Sequence, residues 1–342
     1  MSDSSLGKYG NITDVEGVRV GHATDTKAKT GVTVILPPAR GVPAGIHRGG
    51  NASSTRQMDS LWPLHIIERI HGVCLCGGSA FGLDAGGGVL RCLEAQGIGM
   101  TVVAQTIPIV PSAAIFDLNF GEGSVRPDRQ MGFQACKEAS AGHLEQGSVG
   151  AGTGATVGKL FGIGQAMKGG LGSSSLVSGE VVVGALVGVN AYGDVTDTRG
   201  RLLAGARTAP DSREFADCAT LLVNGEAKSR RISVENTTLA VVAVNARLDK
   251  ISASRIAAQA SLGLGSVIRP FHSHIDGDVT MVMGIGELDA DPNRIGLMAA
   301  QALQTAVVKA IRQADGFGIL PAWRDLDSWD KDVASSGEEI ST

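Results

Sequence analysis

The feature that most constrains the fold is a run of ten residues, 181–190, that reads Val-Val-Val-Gly-Ala-Leu-Val-Gly-Val-Asn and is apolar almost throughout. A strand with one face in water alternates apolar and polar residues, so a continuous apolar run predicts a strand that is covered on both faces. A long helix is predicted over 293–314, where Leu297, Ala300 and Leu303 recur at helical spacing. Buried strands that alternate with helices indicate a layered α/β fold, with helices outside and sheets between them.

Further segments carry local signals for strands and helices. Apolar and β-branched runs between turn residues predict strands near residues 12–22, 31–36, 72–76, 238–245 and 279–285. Helices are predicted over residues 79–96, 129–140 and 252–262. Residues 200–235, which include Pro210 and a basic cluster, are typical of a surface linker, and the polar residues 329–342 predict a loose tail. A length of 342 residues allows one large domain or two closely packed halves.

The charge, the apolar stretches and the cysteines of the chain indicate what kind of partner it binds and in which compartment it works. A net charge of -4 and a pI near 6.0 leave no basic footprint for nucleic acid or an anionic membrane, so a small partner is expected. The sequence contains no secretory leader pattern and no apolar stretch long enough to span a bilayer. Five cysteines without paired C-x-x-C spacing predict buried, reduced thiols. A cytoplasmic protein is the resulting expectation.

A polar, turn-prone segment meets a predicted strand at the Asn236–Thr237 peptide bond. If the chain cut itself there, Thr237 would become an N-terminus that carries a nucleophilic hydroxyl and, in its freed α-amine, a base. Local sequence does not separate Thr237 from its neighbour Thr238. The alternative is a plain strand start in a binding module without enzymatic activity.

A second polar segment lies downstream, at residues 271–280. Its acidic and imidazole side chains occupy every second position, so in an extended strand they would line one face. They are His272, His274, Asp276 and Asp278. Three interpretations remain open: a catalytic carboxylate pair, Asp276 and Asp278, that orients an amine and a hydroxyl; a divalent metal site formed by all four residues; and a solvated turn.

Other candidate residues stand in glycine-rich surroundings. Gly78 and Ser79 open a predicted helix, but the spacing is neither G-x-G-x-x-G nor a Walker loop, so backbone amides that shape a substrate pocket are preferred to a phosphate site. Lys159 lies among small residues and is either a surface lysine or a cation beside the acidic pair. Asn190 ends the apolar run at residues 181–190, as a turn residue or as an amide donor to an oxyanion.

Taken together, these segments resemble the DmpA/NylC family of N-terminal-nucleophile aminopeptidases and amidases over nearly the whole chain. Each motif is weak by itself, and the resemblance rests on their number and order. The motifs are Ile12-Thr13-Asp14-Val15, Arg19-Val20-Gly21-His22, Arg48-Gly49-Gly50, Gly77-Gly78-Ser79-Ala80-Phe81-Gly82-Leu83, Pro108-Ile109-Val110-Pro111, Asn236-Thr237-Thr238 and Asp276-Gly277-Asp278.

The resemblance implies a four-layer αββα sandwich of the DmpA/ornithine-acetyltransferase type, formed by residues 1–342 as a single domain. It also implies cleavage at Asn236–Thr237 into an α chain, residues 1–236, and a β chain, residues 237–342. The catalytic residues that it implies are Thr237 as nucleophile, Asp276 and Asp278 as its orienting carboxylates, and Lys159 and Asn190 as polar groups around the amine and the oxyanion. The acidic pair resembles that of the NylC branch, whereas the β-peptide aminopeptidase branch is expected to carry Ser and Glu there.

The implied activity is hydrolysis of amide bonds in short peptides or peptide-like oligoamides through an acyl-Thr237 intermediate, without metal or cofactor, in tetramers of αβ units. Gly78, Ser79 and Phe116 are expected to contact the substrate, and Phe116 stands where relatives often have Tyr, so a phenolic donor is absent. Two alternatives stay open. One is acyl transfer as in ornithine acetyltransferases, and the other is a metal-dependent hydrolase built on His272, His274, Asp276 and Asp278.

Overall fold

A computed structural model describes residues 5–226 and 235–326 of the chain. The predicted tail at 329–342 and the basic residues Lys228, Arg230 and Arg231 lie outside the described residues. No helix within the described ranges has the length and apolar character that crossing a membrane requires. All five cysteines are free and buried, as the sequence predicts.

The strands and helices are defined by the following bounds. The strands are β1 (Arg19–Asp25), β2 (Thr30–Leu36), β3 (Ala44–Arg48), β4 (Ser54–Arg56), β5 (Val73–Cys76), β6 (Met100–Val102), β7 (Gln105–Ile107), β8 (Ser112–Ala114), β9 (Thr156–Val157), β10 (Met167–Lys168), β11 (Gly170–Ser178), β12 (Val181–Asn190), β13 (Asp194–Thr196), β14 (Leu202–Ala204), β15 (Thr237–Ala246), β16 (Ile268–Arg269) and β17 (Val279–Leu288). The helices are α1 (Ser79–Gly82), α2 (Ala85–Ala95), α3 (Arg129–Lys137), α4 (Cys218–Val223), α5 (Lys250–Gly265) and α6 (Pro292–Arg312).

Two five-stranded sheets form the centre of the molecule. The first has the strand order β1-β2-β5-β8-β4, and the second has the order β11-β12-β15-β17-β3. In the second sheet β12 runs antiparallel to β15, whereas β15 and β17 are parallel. The N-terminal ends of β15 and β17 therefore meet the C-terminal end of β12 at one edge of this sheet.

Three buried apolar clusters divide the molecule into four layers. One cluster joins α2 and α3 to the first sheet, the next fills the space between the two sheets, and the third joins the second sheet to α5 and α6. Successive strand side chains point to opposite faces, so in β12 Leu186 enters the cluster between the sheets while Val187 enters the cluster under the helices. This double burial is what the continuous apolar run predicts, and the αββα sandwich is confirmed.

The predicted helix over residues 79–96 is divided into α1 and α2. Around Leu83 and Asp84 the hydrogen bonds shorten to the i→i−3 pattern, with Gly86 donating to the Leu83 carbonyl and Gly87 donating to the Asp84 carbonyl. The chain packs closely beside this break at Gly82, where an added Cβ atom would lie 1.8 Å from the Gly77 carbonyl oxygen. The predicted helix is therefore two helices, α1 and α2, joined by a tight turn.

Two other predictions are wrong in part. Residues Ile12–Asp14 form a 3₁₀ turn rather than a strand, because the Asn11 side chain caps the turn and accepts from the Thr13 N–H. The described part of residues 200–235 is not a surface linker throughout, since it contains β14 and α4. It also contains Arg207, which is buried and donates to the carbonyl oxygens of Gly164 and Ser212.

Candidate active site

The edge where β12, β15 and β17 end brings together residues that are far apart in the chain. The register of β12 and β15 places Asn190 directly opposite Thr237. Asp278 immediately precedes β17, which is parallel to β15, and Asn236 pairs with Asp276 in an isolated bridge. The candidate nucleophile, the acidic pair and Asn190 thus share one end of the second sheet.

The Asn236–Thr237 bond is buried, with Asn236 fully covered and Thr237 4% exposed. The carbonyl oxygen of Asn236 accepts two hydrogen bonds, one from the Thr237 hydroxyl at 2.5 Å and one from the Gly277 N–H at 2.8 Å. A fixed backbone N–H on a carbonyl oxygen stabilises the negative charge that develops when the carbonyl carbon is attacked. The Gly277 N–H is therefore a candidate oxyanion donor at the bond that precedes Thr237.

Gly277 is a candidate functional residue that the sequence analysis missed. A Cβ atom at this position would lie 2.8 Å from Thr237 Oγ1 and 2.8 Å from the Ala52 carbonyl oxygen, so a side chain does not fit without displacing one of them. The sequence signal was present in Asp276-Gly277-Asp278, where the glycine looked like a strand breaker. Its backbone N–H, which donates to the Asn236 carbonyl oxygen, is the group of interest.

The Asp276 carboxylate lies within the site and is 1% exposed. Its Oδ1 accepts from the Tyr192 N–H at 3.3 Å, and its Oδ2 accepts from the Ser273 N–H at 3.1 Å and from the Ser273 hydroxyl. Burial raises the pKa of Asp276, and the neighbouring charge of Asp278 raises it further. These donors, absent from the sequence prediction, hold the carboxylate in one orientation.

The Asp278 carboxylate contacts both the start of β15 and His272. Its Oδ1 accepts from the Thr238 N–H at 2.6 Å, and its Oδ2 lies 3.0 Å from His272 Nδ1 and accepts from the His272 N–H at 3.1 Å. His272 adopts a left-handed conformation, with φ of 55°, over Gly49, where a Cβ atom would lie 2.0 Å from the imidazole ring. His272 is therefore seated by the Arg48-Gly49-Gly50 motif.

The geometry behind the metal interpretation is wrong. Residues 272–278 are not extended, and His274 is exposed, so the four side chains do not line one face. Across the described ranges, 5–226 and 235–326, no group of three His, Cys, Asp or Glu side chains is placed to hold a metal ion. The solvated-turn interpretation also fails for Asp276 and Asp278, because both are buried.

Lys159 is buried rather than a surface lysine. Its Nζ donates to the carbonyl oxygen of Asn190 at 3.0 Å, to Asn190 Oδ1 at 3.0 Å and to the Glu235 carbonyl oxygen at 2.8 Å. Burial lowers the pKa of Lys159 to about 7, and the charges of Asp276, Glu235 and Asp278 counteract that shift. The three acceptors match the three N–H groups of the ammonium form, which is the form that prevails below about pH 7.

Asn190 ends β12 and is fully buried, so it is not a turn residue. Its Oδ1 accepts from the Thr156 N–H at 3.0 Å, which fixes the orientation of the amide. Its Nδ2 donates to the Glu235 carbonyl oxygen at 2.8 Å and to the Phe116 carbonyl oxygen at 3.2 Å. In the continuous chain this amide faces the peptide group before Asn236 rather than the carbonyl of Asn236 itself.

The candidate substrate-binding residues lie at the start of α1 and in the segment that follows β8. Ser79 donates its N–H to the Ile115 carbonyl oxygen, and the Gly78 N–H donates to Asp117 Oδ1 at 2.6 Å. Asp117, which the sequence analysis overlooked, is buried and also accepts from the Thr30 hydroxyl. The Phe116 carbonyl oxygen accepts from Asn190, which lies opposite Thr237. The Phe116 side chain is half-buried.

Comparison with known proteins identifies relatives that span most of the chain. The sequence profile of the family described as Peptidase family S58 matches residues 10–319. An uncharacterized aminopeptidase of Mycobacterium tuberculosis is 36% identical over 348 residues, which cover 92% of this chain and 97% of the relative. A 6-aminohexanoate-oligomer endohydrolase of Paenarthrobacter ureafaciens is 28% identical over 313 residues, which cover 87% of this chain and 84% of the relative.

Two solved structures share the architecture. A protein from Pyrococcus horikoshii superimposes with a TM-score of 0.72 at 22% identity, covering 99% of this chain and 98% of that chain. The L-aminopeptidase D-Ala-esterase/amidase from Ochrobactrum anthropi, described as a variant of the Ntn hydrolase fold, superimposes with a TM-score of 0.71 at 20% identity, covering 97% of this chain and 96% of that chain. At these identities the likeness establishes the fold.

Proposed function

The chain belongs to peptidase family S58 and is a hydrolase of peptide or amide bonds, and on that premise we propose that it matures by cutting its own Asn236–Thr237 bond. The mature enzyme then hydrolyses amides of short peptides or peptide-like oligoamides through an acyl-Thr237 intermediate. One observation carries the proposal: the Asn236 carbonyl oxygen accepts from the Gly277 N–H and lies within 2.5 Å of the Thr237 hydroxyl. The carbonyl is polarised, and the nucleophile is adjacent to it.

Self-cleavage proceeds in two steps. Thr237 Oγ1 attacks the carbonyl carbon of Asn236, and the Gly277 N–H stabilises the charge on the carbonyl oxygen. The bond between this carbon and the Thr237 nitrogen breaks, the nitrogen takes up the hydroxyl proton, and an ester to Thr237 Oγ1 remains. Water hydrolyses this ester, which leaves a carboxylate on Asn236 and a free α-amine and hydroxyl on Thr237.

Turnover repeats this chemistry on a substrate. The α-amine of Thr237, with a reference pKa of about 7.7 to 8.0, is largely neutral at slightly alkaline pH and accepts the proton of its own hydroxyl. The hydroxyl oxygen attacks the substrate carbonyl, the leaving amine departs with a proton, and water hydrolyses the acyl ester. Asp276 and Asp278 are placed to hold the segment around the amine, and Asn190 supplies a fixed amide donor on the adjacent strand.

The fold explains why the two chains of the proposed mature enzyme stay together. Cleavage before Thr237 separates β15, α5, β17 and α6 from the rest of the chain, but β15 is hydrogen-bonded along its length to β12. The cluster between the sheets also contains side chains from both sides of the cut, such as Leu186 and Val241. Burial of this apolar area opposes dissociation.

Assembly and location form a separate part of the proposal. We propose that αβ units associate as a homotetramer, as the resemblance to the DmpA/NylC family implies. A reducing, cytoplasmic compartment is consistent with five free thiols. Sedimentation velocity of the purified protein measures the assembly, and a monomeric αβ unit would contradict it.

Intact mass spectrometry of the purified protein, followed by a panel of amide substrates, tests the central proposal. The expected result is two chains of about 24 and 11 kDa, apportioned from 35.0 kDa, with the smaller chain starting at Thr237. An uncut chain that hydrolyses amides would refute the mechanism.

A further inference from the structure

The turn between β5 and α1 is strained. Gly78 adopts a φ of 79° and Ser79 a φ of 54°, in the left-handed region that residues other than glycine seldom occupy. Such a conformation at a serine costs free energy, and it persists only where the surrounding structure holds it in place. Strained residues of this kind concentrate at binding and catalytic sites. The contacts that hold this turn therefore bear on the substrate pocket, in which Gly78 and Ser79 are candidate binding residues.

The Asp117 carboxylate holds the turn. Its Oδ1 accepts from the Gly78 N–H at 2.6 Å, and its Oδ2 accepts from the Thr30 hydroxyl at 2.7 Å. The side chain fills the space beside Gly77, where an added Cβ atom would lie 2.0 Å from Asp117 Oδ2. Asp117 is 4% exposed, and a buried carboxylate is costly unless its oxygens are hydrogen-bonded. Through these bonds the carboxylate fixes the turn to β2 of the first sheet.

The segment that contains Asp117 also reaches the candidate nucleophile. Two residues earlier, the Ile115 carbonyl oxygen accepts from the Ser79 N–H at 2.9 Å. The next carbonyl oxygen, that of Phe116, accepts from Asn190 Nδ2 at 3.2 Å. Asn190 lies opposite the candidate nucleophile in the register of β12 and β15. The segment after β8 thus joins the strained turn to the end of the second sheet where the site lies.

We infer that Asp117 is a positioning residue of this active site, which fixes the wall of the substrate pocket that Gly78 and Ser79 form. The inference rests on the proposed function, because it concerns how the same site holds its substrate. Self-cleavage does not need this wall, since the chain itself supplies the bond that is cut. Asn190 is also held independently, by the Thr156 N–H at 3.0 Å. Loss of the Asp117 carboxylate should therefore weaken substrate binding and leave processing intact.

Asp117→Ala in the purified two-chain enzyme tests the inference, with amino-acid p-nitroanilides as substrates. KM should rise about 10- to 100-fold, the loss expected for a hydrogen bond to a charged group, while kcat falls less than about threefold and self-cleavage stays complete. Asp117→Asn keeps an acceptor for the Gly78 N–H and should restore most of the wild-type KM. Asp14→Ala is the matched control, because this half-buried carboxylate also accepts from a backbone N–H, that of Tyr9, and from a hydroxyl, that of Ser175. Its KM should equal that of the wild type.

Each outcome decides the inference. A purely structural role would lower the stability of both alanine variants without changing the KM of the folded enzyme, and that result would overturn it. If Asp117→Ala does not fold, Thr30→Val decides, because it removes one donor to the carboxylate with little change in size. Its KM should rise at least about threefold, and an unchanged KM would overturn the inference.

The wild-type protein separates this inference from the proposed function. If the wild type neither cuts itself nor hydrolyses any amide, the proposed function fails and the inference fails with it. If the wild type is cut and active, an unchanged KM in Asp117→Ala refutes the positioning role alone.

Discussion

The main-chain N–H of Gly277 donates to the carbonyl oxygen of Asn236 over 2.8 Å. The contact joins the segment before β17 to the segment before β15, and it exists because these two strands are parallel and begin at the same end of the sheet. The Thr237 hydroxyl donates to the same oxygen. The carbonyl that would be attacked is thus bound by a donor that cannot rotate away.

Replacing Thr237 by Ala should leave a single uncut chain without amidase activity, because both proposed roles of this residue are lost. Thr238→Ser is the matched control, since it keeps a hydroxyl one residue further along and should be cut normally. Mass spectrometry and amide hydrolysis measure both outcomes. Cleavage that survives in Thr237→Ala, or shifts to precede Thr238, would contradict the role given to Thr237.

Gly277→Ala should slow self-cleavage by about 100- to 1,000-fold, the loss expected when one oxyanion donor is removed. The added Cβ would lie 2.8 Å from Thr237 Oγ1 and would displace either the hydroxyl or the N–H donor. Gly164→Ala is the control, because nothing lies within 4 Å of a Cβ at that exposed position. The rate of precursor loss after synthesis is the measurement, and equal rates for the two variants would count against the oxyanion role.

His272→Gln should reduce kcat about 10- to 100-fold and lower the free energy of unfolding by about 1.5 to 3 kcal/mol, because Asp278 loses a hydrogen-bond partner at 3.0 Å. His274→Gln, two residues away and exposed, should retain the wild-type rate. Steady-state kinetics with circular dichroism compare the two. A similar loss in both variants would show that the whole segment, rather than the His272–Asp278 contact, is responsible.

Two buried lysines allow stability to be separated from catalysis. Lys168, like Lys159, donates to three oxygens, those of Gly152, Ala155 and Gly169, but it lies outside the candidate active site. Both Lys159→Met and Lys168→Met should destabilise the fold by about 1 to 3 kcal/mol, since buried carbonyl groups lose donors. Only Lys159→Met should impair processing in the folded fraction. Equal processing defects would contradict this division of roles.

The lowered pKa of Lys168 predicts how the stability of the fold changes with pH. Burial lowers the pKa of Lys168 to about 7 from 10.5, so between these values the unfolded chain holds a proton that the folded chain has released. Stability therefore rises with pH in this window, by up to about 1.4 kcal/mol per pH unit for this group. The free energy of unfolding of wild type minus Lys168→Met should increase from pH 7 to pH 9. Denaturant titrations at both pH values measure it, and a flat or falling difference would contradict the shift.

Much of the architecture could be predicted because its signals are local. The continuous apolar run that forms β12 indicated burial on both faces, and the spacing of Leu297, Ala300 and Leu303 indicated α6. One error occurred where distant contacts override local preference: part of the predicted linker is held in place by the buried Arg207, which donates to the Gly164 carbonyl oxygen. The helix over 79–96 is divided beside Gly82, which closely approaches Gly77 five residues before it.

The sequence by itself determined the layered α/β class, the family and the residues to examine, because side-chain periodicity and motif order are properties of the chain alone. It could not determine which polar atoms meet. The Lys159–Glu235 contact spans 76 residues, and the Thr238–Asp278 contact spans 40. Only the tertiary structure decided that a glycine N–H holds the Asn236 carbonyl oxygen, that His272 orients Asp278 and that Asn190 faces the Glu235 carbonyl oxygen. These contacts follow from the register between β12, β15 and β17, which no local pattern specifies.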